Sequence, residues 1–517
     1  MSSVLEYTPI EEIPQRVEKV RTAFHTRKFL NVEVRLNALR NLFFAIKDNE
    51  DLILKALKKD LNKPPSEVQL LELSPLYGDL LYIIDNLRSW VKGRKPESTP
   101  LLFKFSKPRV ENIPLGTVLV IGAFNFPLLL TLQPLIGAIA GGNTVVIKQS
   151  EQTPNLAAVV TDILSDALDN ELIQIVNGGI EETTALLEQK FDKVIYTGSG
   201  TVGTIIAKKC AETLTPCILE LGGKSPAFIT KNCRSLDLAA KRIVFAKFVN
   251  AGQTCVTVDY AQVHRDVYDE FVKLLIKWTK KLFGEASVET YGKIVNQRNT
   301  ERVANIIKDS KGEVIYGGDF DIEERYISPT VVKDVTFSDS LMQGEIFGPV
   351  LPVVPFDDLD AAITNVVAYH DTPLALYAFT DNKDEIYAIQ SRIRSGAFLI
   401  NDAIIHVGMA QLPFGGIGSS GNGNYHGYAS FKSFTHERSC LKQPFWVEPL
   451  FEAKYPPTTN FDLAVAKTAM VPPAWFGRTG KIRDWRKIFK NTMISMFLLT
   501  GLVLGLTSDK ENRIPTF

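Results

Sequence analysis

The chain has 517 residues, 45% hydrophobic and 22% charged, with 58 basic side chains balanced by 58 acidic ones. That composition excludes a disordered chain and a small stapled scaffold, leaves room for two or three domains, and gives no global field to draw in nucleic acid. Five cysteines, at 210, 217, 233, 255 and 440, form no CxxC pair, and the six histidines are scattered. A structural metal is not expected, and the loose cysteine spacing suits a reducing compartment.

The N-terminus, MSSVLEYTPIEEIPQRVEK, has early acidic residues and no sustained apolar run, so it reads as neither secretory signal nor transit peptide. Residues 11 to 60 read as helices: Val17, Val20 and Phe24, then Leu36, Leu39, Leu42, Phe43 and Ile46, recur at three and four. This is a packing layer with no visible chemistry. Residues 112 to 147 carry no charge, yet Gly116, Gly122, Pro127, Pro134, Gly137, Gly141 and Gly142 divide the run into pieces too short to cross a membrane. It parses as strand TVLVIGA, turn FNFP, helix LLLTLQPLIGAIA, a Gly-Gly-Asn turn and strand TVVIK. An amphipathic helix from about Asn155 to Leu168, a strand LIQIVNG, a helix near 181 to 189 and a strand KVIYT follow. Alternation of this kind predicts a doubly wound α/β domain that binds ligands at the carboxyl ends of its strands.

Three turns lie at such ends: FNFP at 124 to 127, KQSE at 148 to 151 and GSGTVG at 198 to 203. The last follows a strand, opens a helix and matches the dinucleotide fingerprint, which makes Glu220, about 20 positions on, a candidate ribose ligand. LELGGKSP, 219 to 226, carries that Glu220, and GQTC places Cys255 35 residues later. A thiol and a carboxylate whose pKa is raised by burial suit acyl chemistry. Spacing alone also allows Glu220 to pair with Lys224, and Cys255 to be a small core residue.

FNFP, VIKQSE, YTGSGTVG, LELGGKSP, GQTC, EIFGP at 345 to 349 and LPFGGIGSSG at 412 to 421 resemble, in order and spacing, the motifs of aldehyde dehydrogenases. The short N-terminus and NYHGYASFKSFTHERSC, 424 to 440, are most similar to the class 3 branch, fatty aldehyde dehydrogenases above all; the match covers about 15 to 445. The resemblance implies that Cys255 is the nucleophile, Glu220 the general base and Asn125 the side-chain donor to the oxyanion. It implies that Lys148 and Glu151 hold the adenosine ribose, Glu345 and Phe347 the nicotinamide ribose, and Gly198, Ser199 and Gly203 the cofactor loop. Gly200 departs from the family's GSTxxG. NAD is favoured, with NADP tolerated. His406 and His426 read as turn or packing residues, and the other four cysteines as structural; Asn401 and Phe414 line the site by resemblance only.

After PPAWFGRTG comes KIRDWRKIFK and then the uncharged NTMISMFLLTGLVLGLT, 491 to 507, with Arg483, Arg486, Lys487 and Lys490 crowded before it. This predicts a tail anchor with a cytosolic catalytic body, on the mitochondrial outer membrane or the endoplasmic reticulum. A buried core helix is the alternative.

The whole reads as an α/β, aldehyde dehydrogenase-like chain: cofactor-binding domain 1–219, with about 101–113 contributing to dimerisation; catalytic domain 220–405; closing and dimerisation segment 406–445; linker 446–490; transmembrane tail 491–507. The expected activity is NAD-dependent oxidation of long-chain aliphatic aldehydes by a homodimer. Aromatic or medium-chain aldehydes, a cofactor-free thioesterase using Cys255 and Glu220, and a silent membrane-tethered binding protein are the alternatives.

Overall fold

The computed structural model describes residues 5–470, 474 and 476–480. The chain divides into two compact units, one of residues up to 91 plus 113–436, the other of 92–112 plus the residues from 437 on.

The first unit contains two largely parallel sheets. In one, the strand order is Gly421–Asn422, Cys217–Leu221, Lys193–Gly198, Thr117–Ile121, Thr144–Lys148, Ile173–Val176, all parallel except the first. The first three strands in sequence run outward from Thr117–Ile121 on one side, and the next two return on the other. The order therefore reverses between Thr117–Ile121 and Lys193–Gly198, where a ligand crevice is expected. The uncharged 112–147 run resolves as anticipated into two fully buried strands and the helix Leu129–Gly141, every residue of which is buried. Covering both faces of a parallel sheet removes any need for charge.

The second sheet has the order Ala397–Ile400, Ala375–Phe379, Pro226–Ile229, Tyr260–His264, Val350–Phe356, Thr330–Lys333, Glu313–Tyr316, with only the last strand antiparallel. The expected cut at 219/220 falls inside Cys217–Leu221, so Glu220 belongs to the first sheet and the crossing to the second occupies 222–225. Helices Ile13–His25, Val32–Asp48, Glu50–Leu61 and Ser74–Trp90 form the N-terminal layer. Their apolar stripe, Leu36, Leu39, Leu42 and Ile46 among others, is fully buried.

The second unit holds a 3-10 segment Phe445–Lys454 and the helix Asn460–Met470. The stretch 491–507 lies outside the described residues. Among the described residues, no helix is long and apolar enough to cross a membrane.

Candidate active site

Cys255 lies between helix Leu236–Phe248 and strand Tyr260–His264, just after a tight turn. Asn250 and Ala251 both adopt left-handed backbone, at φ 54° and 51°, costly for residues with a Cβ and sustained only where neighbours over-determine the conformation. Gly252 follows at φ 71°, and a Cβ there would strike the carbonyl oxygen of Gly348. The turn is held from several sides. Gln253 Nε2 donates to Lys293 O at 3.0 Å, Gln253 Oε1 accepts from Val295 N at 2.9 Å, and Asn250 N donates to Glu67 at 2.9 Å. The strained turn at 250–252 thus leads into GQTC, and its contacts fix the backbone just before Cys255.

Asn125 sits in the FNFP turn and is buried. Its Nδ2 donates to Gln253 O at 3.1 Å, which ties it to the cysteine turn and leaves its second amide hydrogen for another acceptor. Glu220, 2% exposed, has no hydrogen-bond partner on either carboxylate oxygen. Burial drives its pKa well above the usual carboxylate range. The proposed pairing with Lys224 does not occur. Lys224 Nζ instead meets Asp259 at 2.6 Å and the carbonyls of Leu341 and Gly344 at 2.7 and 3.0 Å, because Asp259 lies under the same strand ends and offers a fixed acceptor.

The thiol of Cys255 is half-buried and its pKa is pushed up to about 12, by burial first and then by the carboxylates of Glu345 and Glu220. All three groups therefore share one electrostatic neighbourhood. Glu345 is pushed up to about 8, by burial and then by Asp259, and its Oε1 has no partner. Phe347, at φ 47°, meets Phe124 edge to face at 5.8 Å.

Lys148 ends strand Thr144–Lys148 and bonds Glu151 at 2.6 Å. GSGTVG differs from expectation: the strand runs to Gly198 and the helix begins at Gly200, so only Ser199 lies between them. Ser199 caps the helix by accepting from Val202 N, and Gly203 packs so closely that a Cβ would meet Leu221 at 2.6 Å. The loop therefore offers a helix N-terminus, a site for anionic phosphate. A parallel-sheet crevice with this helix start, an ion-paired Lys148 and Glu151, and an orphaned carboxylate oxygen on Glu345 fits a dinucleotide.

Beside Cys255 lies a mostly apolar cavity of about 50 Å³. Leu71, Phe126, Leu129, Ile404, Phe414 and Tyr425 are among its walls, with Thr254 and Cys255 at one place on its lining. Phe414 lines it as expected. Asn401 is not among the lining residues; its side chain accepts from Thr380 N and donates to Asp381. His426 does line it, stacked on Phe414 at 5.1 Å, and His406 stacks on the same ring at 6.1 Å. Burial pushes His426 down to about 3, with a further contribution from His406, and His406 down to about 4, so both rings are neutral, in keeping with packing roles. Two supports escaped the sequence reading. Glu67 holds the Asn250 turn, and Asp79, its pKa pushed up to about 7 by burial, accepts from Gly427 N beside the cavity wall. The available signal was acidic residues set in otherwise apolar helix faces. No group of three or more potential metal ligands occurs among the described residues.

Residues 5–440 match the model of the aldehyde dehydrogenase family. The chain is 39% identical to the fatty aldehyde dehydrogenase HFD1 of Saccharomyces cerevisiae over 93% of its own length and 94% of that protein's. It is 41% identical to the beta-apo-4'-carotenal oxygenase of Neurospora crassa, over 87% of this chain and 85% of that one. The substrate-bound structure of Staphylococcus aureus AldH superposes with a TM-score of 0.81 at 38% identity, covering 84% of this chain and 94% of that one. With a family match over most of its length and an apolar cavity meeting a thiol flanked by buried carboxylates, the chain belongs to the aldehyde dehydrogenase family and is an enzyme of that type.

Proposed function

We propose that this enzyme oxidises long-chain aliphatic aldehydes to fatty acids with NAD, through a covalent intermediate on Cys255. The observation that carries the reading is the apolar cavity reaching Cys255. A hydrocarbon chain gains about 0.8 kcal/mol per buried methylene, and most of the lining is apolar. The names of the yeast and Neurospora relatives, one a fatty aldehyde dehydrogenase and one a carotenal oxygenase, point toward long apolar aldehydes.

In this reading Cys255 gives up its thiol proton to solvent and Sγ attacks the aldehyde carbon. The carbonyl oxygen becomes an alkoxide facing the free amide hydrogen of Asn125 and the backbone N–H of Cys255, donors whose loss typically costs about 10²–10³ in rate. Bound NAD supplies the hydride acceptor. Loss of hydride from the thiohemiacetal leaves a thioester, and Glu220, kept basic by burial, takes a proton from the water that hydrolyses it. Lys148 and Glu151 would hold the adenosine ribose, the start of helix Gly200–Glu212 with Gly198, Ser199 and Gly203 the pyrophosphate, and Glu345 with Phe347 the nicotinamide ribose. A carboxylate at Glu151 disfavours a 2′-phosphate, which supports NAD over NADP. The first sheet serves as cofactor domain and the second as catalytic domain, in a homodimer tethered through 491–507 at the mitochondrial outer membrane or endoplasmic reticulum.

The test is turnover of straight-chain and aromatic aldehydes by protein lacking residues 488–517, read as NADH absorbance. Efficiency rising with chain length is expected; equal or greater efficiency on aromatic aldehydes contradicts the substrate assignment. Retention of the full-length chain, but not the truncated one, on membranes after alkaline carbonate washing is the expected behaviour of the anchor.

A further inference from the structure

The N-terminal layer holds an ion pair placed where a packing layer needs none. Lys63 is 2% exposed and Glu72 0%, and their side chains meet at 2.7 Å. A pair so deeply buried gains little net stability over apolar residues of the same volume, since both ions lose their hydration. Its contacts give it a role. Lys63 Nζ also donates to the backbone carbonyl of Asn125 at 2.7 Å and lies 4.4 Å from the centre of the Phe126 ring. The second oxygen of Glu72 accepts from Leu128 N at 3.0 Å and Leu129 N at 3.4 Å, the amides that open helix Leu129–Gly141. Every residue of the FNFP turn and the helix start is therefore within one bonded residue of this pair.

Local backbone supports the placement. Gln69–Leu73 forms a single π-turn between helices Pro65–Val68 and Ser74–Trp90, a wide turn that shifts the residues after it and is frequent at functional sites. It carries Glu72 and the cavity residue Leu71. The Asn125 carbonyl receives a second donor, Asn250 Nδ2 at 2.9 Å, from the cysteine turn. One carbonyl thus joins the ion pair, the amide donor and the nucleophile's turn.

We propose that Lys63 and Glu72 are positioning residues that set the angle of the Asn125 amide toward the reacting carbonyl. The inference rests on reading Asn125 as the oxyanion donor. Without Lys63 the turn keeps its sequence but loses the contact that fixes the peptide after Asn125, and the amide drifts from a position where tenths of an ångström matter.

The experiment is a double-mutant cycle on the full-length enzyme, measuring the single-turnover NADH burst rate, aldehyde KM and NAD Kd. Lys63→Met is expected to slow the burst by about 10- to 100-fold, somewhat less than loss of the donor itself, with KM and NAD Kd within about threefold. In an Asn125→Ala background the same change is expected to slow the burst by less than about twofold, because the group being aimed is gone. Glu72→Gln, which keeps an acceptor for Leu128 N, gives a smaller version of the same pattern and serves if Lys63→Met does not fold. Equal slowing in both backgrounds overturns the inference, as does a folded variant with an unchanged burst. If Asn125→Ala alone leaves the burst unaffected, the reading of Asn125 has failed, and the inference with it.

Discussion

Two buried carboxylates, Asp259 and Glu220, behave in opposite ways. Asp259, fully buried, is driven up by burial, but Lys224 and then Lys247 outweigh this and hold its carboxyl below the usual range. It bonds Lys224 at 2.6 Å and Lys247 at 3.3 Å, and accepts from Ile346 N, the residue after Glu345. Glu220 has neither cation nor donor and stays well above its usual pKa. The paired acid is a strut that fixes the loop bearing Glu345. The unpaired one is the group proposed to take a proton. Leaving a buried carboxyl unsatisfied is costly, and a fold tolerates it where chemistry uses the group.

The largest expected effect lies at the thiol that Glu220 and Glu345 act on. Cys255→Ser replaces the nucleophile with a hydroxyl and should cut aldehyde oxidation by about 100-fold or more, while NAD affinity, measured by fluorescence titration, stays near normal. Retention of a tenth of wild-type turnover removes Cys255 from its role. Next is the strut. Lys224→Met strands the Asp259 charge, and breaking a buried pair costs about 3–5 kcal/mol. Urea unfolding should show that loss, and Lys247 alone should not compensate.

The pH dependence of stability separates the two acids further. Glu220 keeps its proton in the folded state at pH values where the unfolded chain releases it, so its contribution falls as pH rises from the usual value of 4.5 toward the raised folded value. Glu220→Gln should flatten that slope and leave the neutral-pH fold at least as stable. Asp259 has the opposite sign: its contribution is present above the usual value of 3.8 and is lost as pH falls through its lowered folded value. Denaturation midpoints from about pH 5 to 8 check Glu220, and midpoints below about pH 4 check Asp259. The smallest effect is expected at the cavity wall, where Asp79→Asn keeps an acceptor for Gly427 N and should alter discrimination between long and short aldehydes by a fewfold, read as kcat/KM ratios.

Periodicity and glycine punctuation were enough to place four of the six strands of the first sheet, because they are short, buried and separated by turns that only particular residues make. The strands from Thr117 to Gly198 and the helix Leu129–Gly141 fall within a few residues of expectation. The motif residues were legible as motifs because each sits at a strand end or turn where backbone geometry restricts the choice. Pairings were not legible. Lys224 lies four residues from Glu220 in the chain, yet its partner is Asp259, brought near only when two parallel strands align. Nothing in the sequence set Lys63 and Glu72 apart; Lys63 takes its meaning from burial against the Asn125 carbonyl, 62 residues on in sequence.

The central claim is that Glu220 is the base for hydrolysis rather than a ribose ligand, and Glu220→Gln tests it most directly. Mixed rapidly with saturating NAD and a long-chain aldehyde, that variant should release close to one NADH per active site and then stall as the thioester, with NAD Kd near the wild-type value. A large rise in NAD Kd with turnover preserved at saturating cofactor would instead make Glu220 a ribose ligand and contradict the account.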